Sequence, residues 1–275
     1  MRLFETHAHL SDERFDGEIP SILSRASQAG VAYLTVASAD GAESRSSIDI
    51  VRQYSSATLP LYCMVGYHPH VASSFGEEDE AFLRDVLSRR KDLRICALGE
   101  IGLDYFYDNS PREIQREVFR KQLDIAFAYD VPIVLHERDA AQDSLTILRE
   151  YYASGRLRGV PGVCHCFSGS VETGRELVRM GFYLGFDGPI TFKNNKRAPE
   201  VLLSVPKERL LIETDCPYLT PEPHRGQRNE PAYVRNVLEK MAAILSLDPE
   251  VLAEVTTENG KRLFGIEESS SESFA

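Results

Sequence analysis

Two histidines stand two residues apart near the start of the chain, in Leu3-Phe4-Glu5-Thr6-His7-Ala8-His9. On an extended strand side chains alternate between faces, so His7 and His9 project from the same side. Two imidazoles placed this way can hold one divalent ion. Alone, the pair reads more readily as two ordinary polar residues. The other chemistry-bearing residues change that balance. His68 and His70 stand in Gly66-Tyr67-His68-Pro69-His70, and Glu100 in Gly99-Glu100-Ile101-Gly102-Leu103-Asp104. His136 and His165 follow, then Asp215 in Glu213-Thr214-Asp215-Cys216-Pro217, and His224. Neutral imidazoles combined with carboxylates suit zinc, manganese, iron and similar ions. Four histidines and two carboxylates exceed the needs of one tetrahedral ion. They suffice for two ions with one carboxylate between them, an arrangement that can steady both an attacking and a leaving oxygen.

These residues need elements that bring them together. Short apolar β-type runs occur at 3–6, 31–36, 61–65, 95–98, 132–135, 163–165, 183–186 and 210–212, with helical patterns between most of them. Ile19, Ile22, Leu23 and Ala26 have helical spacing and are followed by Gly30, a residue suited to a helix C-terminus. Ser110-Pro111-Arg112-Glu113 reads as a capping box with proline at the first helical position. Two last helices are expected after Asn229-Glu230-Pro231 and Asp248-Pro249-Glu250. Eight short buried strands alternating with helices predict an α/β fold, a single (β/α)8 TIM barrel. A doubly wound open sheet is the structural rival, but no glycine-rich phosphate loop follows the first strand. In a barrel the C-terminal ends of the strands meet at one face, where active sites of this architecture lie. His7 and His9 end the first run, His68 and His70 follow the third, and Glu100 follows the fourth. His136 and His165 end the fifth and sixth, and Asp215 follows the eighth. Six of the seven histidines therefore fall on that face, which predicts a metal site there.

Length and composition set the frame. The chain has 275 residues, 43% hydrophobic and 27% charged, as a globular domain has. One barrel of about 250 residues accounts for nearly all of that length. The expected division is a barrel over residues 1–265 and a disordered Ser/Glu-rich tail over 266–275. No apolar stretch is long enough to span a bilayer, and Glu5 and His7 interrupt any signal-type opening. A cytoplasmic protein without a membrane partner is expected, a monomer rather than an oligomer, with its five cysteines free. The net charge of −11 argues against broad non-specific adhesion to nucleic acid, though a local basic patch can still serve a site.

Taken in order, Glu5-Thr6-His7-Ala8-His9-Leu10, Gly66-Tyr67-His68-Pro69-His70, Gly99-Glu100-Ile101-Gly102-Leu103-Asp104-Tyr105, His136-Glu137-Arg138-Asp139-Ala140, His165-Cys166-Phe167-Ser168-Gly169, Glu213-Thr214-Asp215-Cys216-Pro217-Tyr218-Leu219 and His224-Arg225-Gly226-Gln227-Arg228-Asn229-Glu230-Pro231 closely resemble the TatD family of metal-dependent deoxyribonucleases. This family lies in the amidohydrolase superfamily of barrels. The resemblance runs from about residue 5 to Phe264. It implies hydrolysis of phosphodiester bonds in DNA with two divalent ions (zinc, magnesium or manganese). By the same resemblance His7 and His9 would bind one ion and His136 and His165 the other. Glu100 would bridge them. Asp215 would ligate the first ion and act as general base. Glu5 departs from the family, which usually has Asp there, and is expected to support the ligands from behind.

Further roles are expectations from residue type and place. His68 would donate a hydrogen bond to a substrate phosphate or act as general acid, and His70 shares its loop. Arg138, Lys193 and Arg225, with Lys196, Arg197 and Arg228, are the basic residues near the expected site and would contact phosphate. Tyr105, Phe106, Tyr107 and Phe192 could stack bases or simply pack. Cys164 and Cys166 flank His165, so strand alternation would turn both toward the helices, leaving Cys216 as the thiol nearest the metals. The substrate expected is DNA, cleaved as a 3′–5′ exonuclease on single strands if the loops leave a narrow cleft. RNA or an aminoacyl-tRNA are alternative partners. The rival functions are an ester hydrolase acting on mischarged aminoacyl-tRNA and a non-catalytic metal-stabilised scaffold.

Overall fold

The computed structural model describes residues 1–267; the expected tail lies, from residue 268 onward, outside the described residues. Eight strands run β1 (Leu3–Ala8), β2 (Val31–Val36), β3 (Leu61–Val65), β4 (Ile95–Asp104), β5 (Ile133–Arg138), β6 (Gly162–Cys164), β7 (Tyr183–Phe186) and β8 (Leu210–Ile212). Each pairs in parallel with its sequence neighbour. Runs such as Ile133-Val134-Leu135 are buried throughout, as strands covered on both faces must be.

Helices return the chain from the end of one strand to the start of the next. They are α1 (Ile19–Gln28), α2 (Gly41–Tyr54), α3 (Glu77–Ser88), α4 (Arg112–Ala128), α5 (Ala141–Ala153), α6 (Val171–Arg179) and α7 (Arg197–Ser204), with α8 (Val234–Leu245) and α9 (Pro249–Phe264) last. The apolar residues divide into two bodies. Phe4, Tyr33, Met64, Cys96, Val134, Val163, Tyr183 and Leu211, one from each strand, fill the barrel interior. The larger body lies between strands and helices and includes Leu34, Leu61, Leu98, Leu135, Leu184 and Leu210. Phe264 and Ile266 join the inner group, so Ile266, placed by sequence in the tail, packs with the barrel.

The ring closes between β1 and the chain after β8. His9 N–H donates to Cys216 O at 2.9 Å and Asp215 N–H to His7 O at 3.0 Å. The Thr6 hydroxyl donates to Ile212 O at 2.9 Å. Glu5 Oε1 accepts from both His7 N–H (2.9 Å) and Thr214 N–H (3.1 Å). β8 has only three residues, so this carboxylate supplies part of the seam that a longer ladder would otherwise make. Burial pushes the Glu5 carboxyl up to about 8.

β1 runs two residues past its expected end and β6 lies one residue earlier than expected, but β4 and β5 depart furthest from the sequence reading. β4 continues six residues beyond Leu98, through Glu100 to Asp104, and β5 runs past His136 to Arg138. Leu103 pairs with Glu137 and Asp104 with Arg138, which carries the ladder up to the mouth of the barrel. Gly102, at φ +143°, makes that approach possible, because a Cβ there would meet His136 O at 2.0 Å. The Ser110 capping box does not form. Pro111 caps α4 without a side-chain bond, and the Ser110 hydroxyl instead donates to His70 O and accepts from Ser73 N–H, both at 3.0 Å. A residue read as a local helix signal serves as a long-range pin for the His70 loop.

Candidate metal centre

Glu100 stands at the middle of the barrel mouth, 3% exposed. Its two carboxylate oxygens face different groups. Oε1 lies 3.0 Å from His9 Nε2 and 3.3 Å from His7 Nε2. Oε2 lies 2.9 Å from His165 Nε2 and 3.5 Å from His136 Nδ1. His68 Nε2 reaches within 3.9 Å of the same oxygen. Asp215 joins the Oε1 side, with Oδ1 3.4 Å from His9 Nε2 and 3.8 Å from His7 Nε2. The structure thus brings all six expected ligands, and His68, into one cluster. Each of the sets His7–His9–Glu100 and His68–Glu100–His136 has its donor atoms close enough to share a divalent ion.

Local backbone explains how each arrives. The extended chain from β1 through the His9–Cys216 bond keeps His7 and His9 on one side, with their rings 5.1 Å apart. Asp215 takes a left-handed conformation at φ +56°, which an aspartate tolerates better than most residues and which turns its carboxylate inward just after β8. Pro69 at the start of a short helical turn fixes the His68 loop. There His68 Nδ1 accepts from His70 N–H at 3.1 Å. With Nδ1 an acceptor, the proton of a neutral His68 resides on Nε2, the atom facing Glu100.

The charges favour cations on both sides of Glu100. Burial alone would raise the Glu100 carboxyl, but the imidazoles of His165 and His7 and the bond from His136 hold it well below the usual range. Burial likewise opposes ionisation of Asp215, and the bond to His9 overcomes it. The histidines divide. Burial pushes His7 down to about 4 and, with His136, holds His68 well below its ordinary value. His9 is raised well above its ordinary value despite burial, through Asp215 and Glu100; His136 is raised to about 9, through Asp104 and Glu100. One positive charge is drawn to each side of Glu100. Donor types, spacing and this charge demand fit divalent metal binding.

Three carboxylates surround the cluster that the sequence reading did not assign. Asp104 Oδ2 lies 3.1 Å from His136 Nε2 and 2.9 Å from His70 Nε2, so it takes the ring nitrogen that His136 turns away from Glu100. Glu213 Oε1 lies 3.8 Å from His165 Nδ1 and accepts from Cys166 N–H. Asp187 sits beside Cys166 and Asp215, pushed up to about 8 by burial and by Asp215. Asp104 and Glu213 belong to motifs already singled out. Their signal was proximity to a ligand, which sequence alone could not turn into a direction.

The cysteine expectation fails for Cys166. β6 ends at Cys164, and Cys166 adopts φ +45°, so alternation no longer applies. Its thiol lies beside Asp187 and Asp215, and burial pushes it well above its ordinary value. Cys164 is in the core as expected, and Cys216, the thiol expected nearest the metals, is buried in the apolar layer.

The expected substrate contacts lie on the rim. His70 is half-buried, its ring against Tyr107 at 5.3 Å. The Arg138 guanidinium lies over the rings of Phe106 (4.1 Å) and Tyr107 (4.8 Å). Arg225 lies over Phe192 at 3.8 Å, and Lys193 beside it is exposed. No hydrogen bond or ion pair joins Lys193 or Arg225 to the Glu100 cluster among the described residues. Arg228 is committed elsewhere, to Glu18 at 2.8 Å. Tyr105 donates to Asp143, and His224 stacks on Tyr233. Two open concavities of about 490 and 460 Å³ lie away from the mouth, against α9 and the N-terminal end of β1. No described helix is long and apolar enough to cross a membrane.

The sequence profile of the family described as TatD related DNase matches residues 4–265. The "Uncharacterized metal-dependent hydrolase YabD" of Bacillus subtilis (strain 168) is 44% identical over 264 residues, covering 96% of this chain and 99% of its own. The "3'-5' ssDNA/RNA exonuclease TatD" of Shigella flexneri serotype 5b is 33% identical over 271 residues, covering 96% and 99%. Among solved structures, YjjV, a TatD homolog from Escherichia coli K12, superposes with a TM-score of 0.88 at 28% identity, over 97% of this chain and 99% of its own.

Proposed function

The chain belongs to the TatD family of metal-dependent hydrolases, and from that premise we propose that it cleaves phosphodiester bonds in single-stranded DNA, as a 3′–5′ exonuclease. The observation that carries this reading is the Glu100 carboxylate, with one oxygen toward His7, His9 and Asp215 and the other toward His136 and His165. His7, His9, Asp215 and Glu100 would hold one divalent ion, and His136, His165 and Glu100 the second; zinc, magnesium and manganese are the candidates. When bound, such a pair lowers the pKa of water and steadies charge on a phosphoryl oxygen. That chemistry suits a diester whose attacking and leaving groups are both oxygens.

The protein's own groups then have distinct tasks. Asp215, held charged by His9, accepts the proton of the attacking water. His68, kept neutral with its proton on Nε2, donates a hydrogen bond to a phosphoryl oxygen; burial disfavours the cation that a general acid of this kind requires. Arg138, Lys193 and Arg225, with His70, line the rim where flanking phosphates would lie. A nucleic-acid substrate accords with the name of the Shigella relative, an ssDNA/RNA exonuclease.

The test is release of nucleotides from end-labelled single and double strands by protein loaded with zinc, magnesium or manganese, with a chelator control. Metal-dependent shortening from the 3′ end is expected, with Asp215→Asn keeping its metal and losing about 10²–10⁴-fold in rate. Intact strands, or release of amino acid from a charged tRNA without release of nucleotides, would overturn the reading.

A further inference from the structure

Phe106 and Tyr107 are large aromatic residues 56% and 55% exposed at the mouth of the barrel. Rings that size are ordinarily buried, since each removes a large apolar area from water. Their rings are 5.0 Å apart at 88°, with the Arg138 guanidinium across both. Arg138 makes no ion pair among the described residues, whereas Arg112 and Arg116 on the neighbouring helix are paired with Asp108 and Asp143. Its cation is therefore oriented by the rings and left without a counter-charge.

This group is tied to the metal centre by one side chain. Asp104 Oδ1 accepts from Phe106 N–H at 3.0 Å and Tyr107 N–H at 2.8 Å, while Oδ2 faces His136 and His70. Gln115 holds Asp104 from behind, accepting from its N–H at 2.8 Å and donating to its carbonyl at 3.0 Å. β4 and β5 deliver the parts together, because Asp104 pairs with Arg138 and Tyr105 N–H donates to Arg138 O at 2.9 Å. Position, exposure and charge are all fixed relative to Glu100.

We propose that Phe106 and Tyr107, with Arg138 laid across them, form the subsite that takes the unpaired base adjoining the scissile phosphodiester, with Arg138 meeting the next phosphate. Every nucleobase offers a π-face, so stacking tolerates sequence and selects for strands whose bases are not already stacked in a duplex. The guanidinium supplies the backbone charge that the global −11 withholds. The inference rests on the nuclease reading above and names what that site grips.

The experiment uses the full chain loaded with manganese, and two end-labelled single strands of equal length, one carrying an abasic residue beside the bond to be cut. Phe106→Ala/Tyr107→Ala is expected to raise KM on the ordinary strand by about 5- to 150-fold, the range one stacked base commands, with kcat nearly kept. The abasic strand should weaken wild type to the level of this variant and leave the variant unchanged. Arg138→Gln should raise KM on both strands and flatten its salt dependence. Both rings are exposed, so folding is not at stake, and unchanged metal content checks the centre. If wild type cleaves the ordinary strand and the double variant matches its KM, or if the abasic residue weakens both proteins alike, the subsite falls and the nuclease reading stands. If wild type leaves both strands intact, both fall.

Discussion

Asp104 Oδ2 lies 3.1 Å from His136 Nε2, and this contact leaves His136 Nδ1 as the atom facing Glu100. His7, His9 and His165 approach Glu100 through Nε2. His136 alone among the four is turned, and a carboxylate holds it there. Groups that orient a ligating histidine fix its tautomer and raise its basicity, and losing one typically costs about 10–100-fold in metal affinity. Asp104→Asn should therefore bind its second equivalent of zinc about 10–100-fold more weakly while the first is little changed, as read by competition with a chromophoric chelator. Equal weakening of both equivalents would count against a role confined to the His136 side.

Glu100 serves both sides of the centre, and an amide cannot. In Glu100→Gln only one oxygen remains to ligate, and the negative charge is lost. Metal content measured by atomic emission should fall from two equivalents toward one or none. Diester hydrolysis should fall at least about 100-fold, since the interaction with a second ion is worth several kcal/mol. A variant that retained two ions and normal rates would remove Glu100 from the bridge.

Metal removal should cost stability as well as activity. The centre gathers Glu100, Asp215 and four histidines in a small volume, and its carboxylates raise His9 and His136 above their ordinary values despite burial. An ion that binds only the folded chain at 100 times its Kd stabilises by about 2.7 kcal/mol. For a chain of this size that corresponds to roughly 5–10 °C in Tm. Exhaustive dialysis against a chelator should lower Tm by that amount, and added manganese or zinc should restore it. Identical melting with and without metal would show that the cluster holds none.

Tyr67 adjoins His68, and its hydroxyl donates to Asp79 at 2.6 Å. Burial and Asp79 raise its pKa above the ordinary phenol value of about 10. A pKa higher in the folded state means that the protonated hydroxyl stabilises fully below about pH 10 and that this stabilisation is lost as pH rises beyond it. Tyr67→Phe should lose about 1.5–3 kcal/mol at neutral pH, the worth of a hydrogen bond to a charged group. Its urea midpoint should also fall less steeply than wild type above pH 10. A parallel alkaline decline in both proteins would assign the effect elsewhere.

The sequence by itself determined the strands, their alternation with helices and the side chains that meet at the mouth. That followed because buried parallel strands are continuous apolar runs and because the donor types of His and Asp/Glu are legible as letters. His7, His9, His136, His165 and Asp215 gather around Glu100, and β2, β3, β7 and β8 begin and end where periodicity put them. Only the tertiary structure decided direction. Alternation cannot foresee a left-handed residue, so the turn at Cys166 and the inward turn of Asp215 were invisible. Spacing cannot show which nitrogen an imidazole presents, and Asp104, thirty-two residues from His136, settles that through a single oxygen. Ser110 reads locally as a helix cap, yet its hydroxyl bonds the His70 loop, because a hydrogen bond forms with the nearest well-placed partner and folding sets which partner is near.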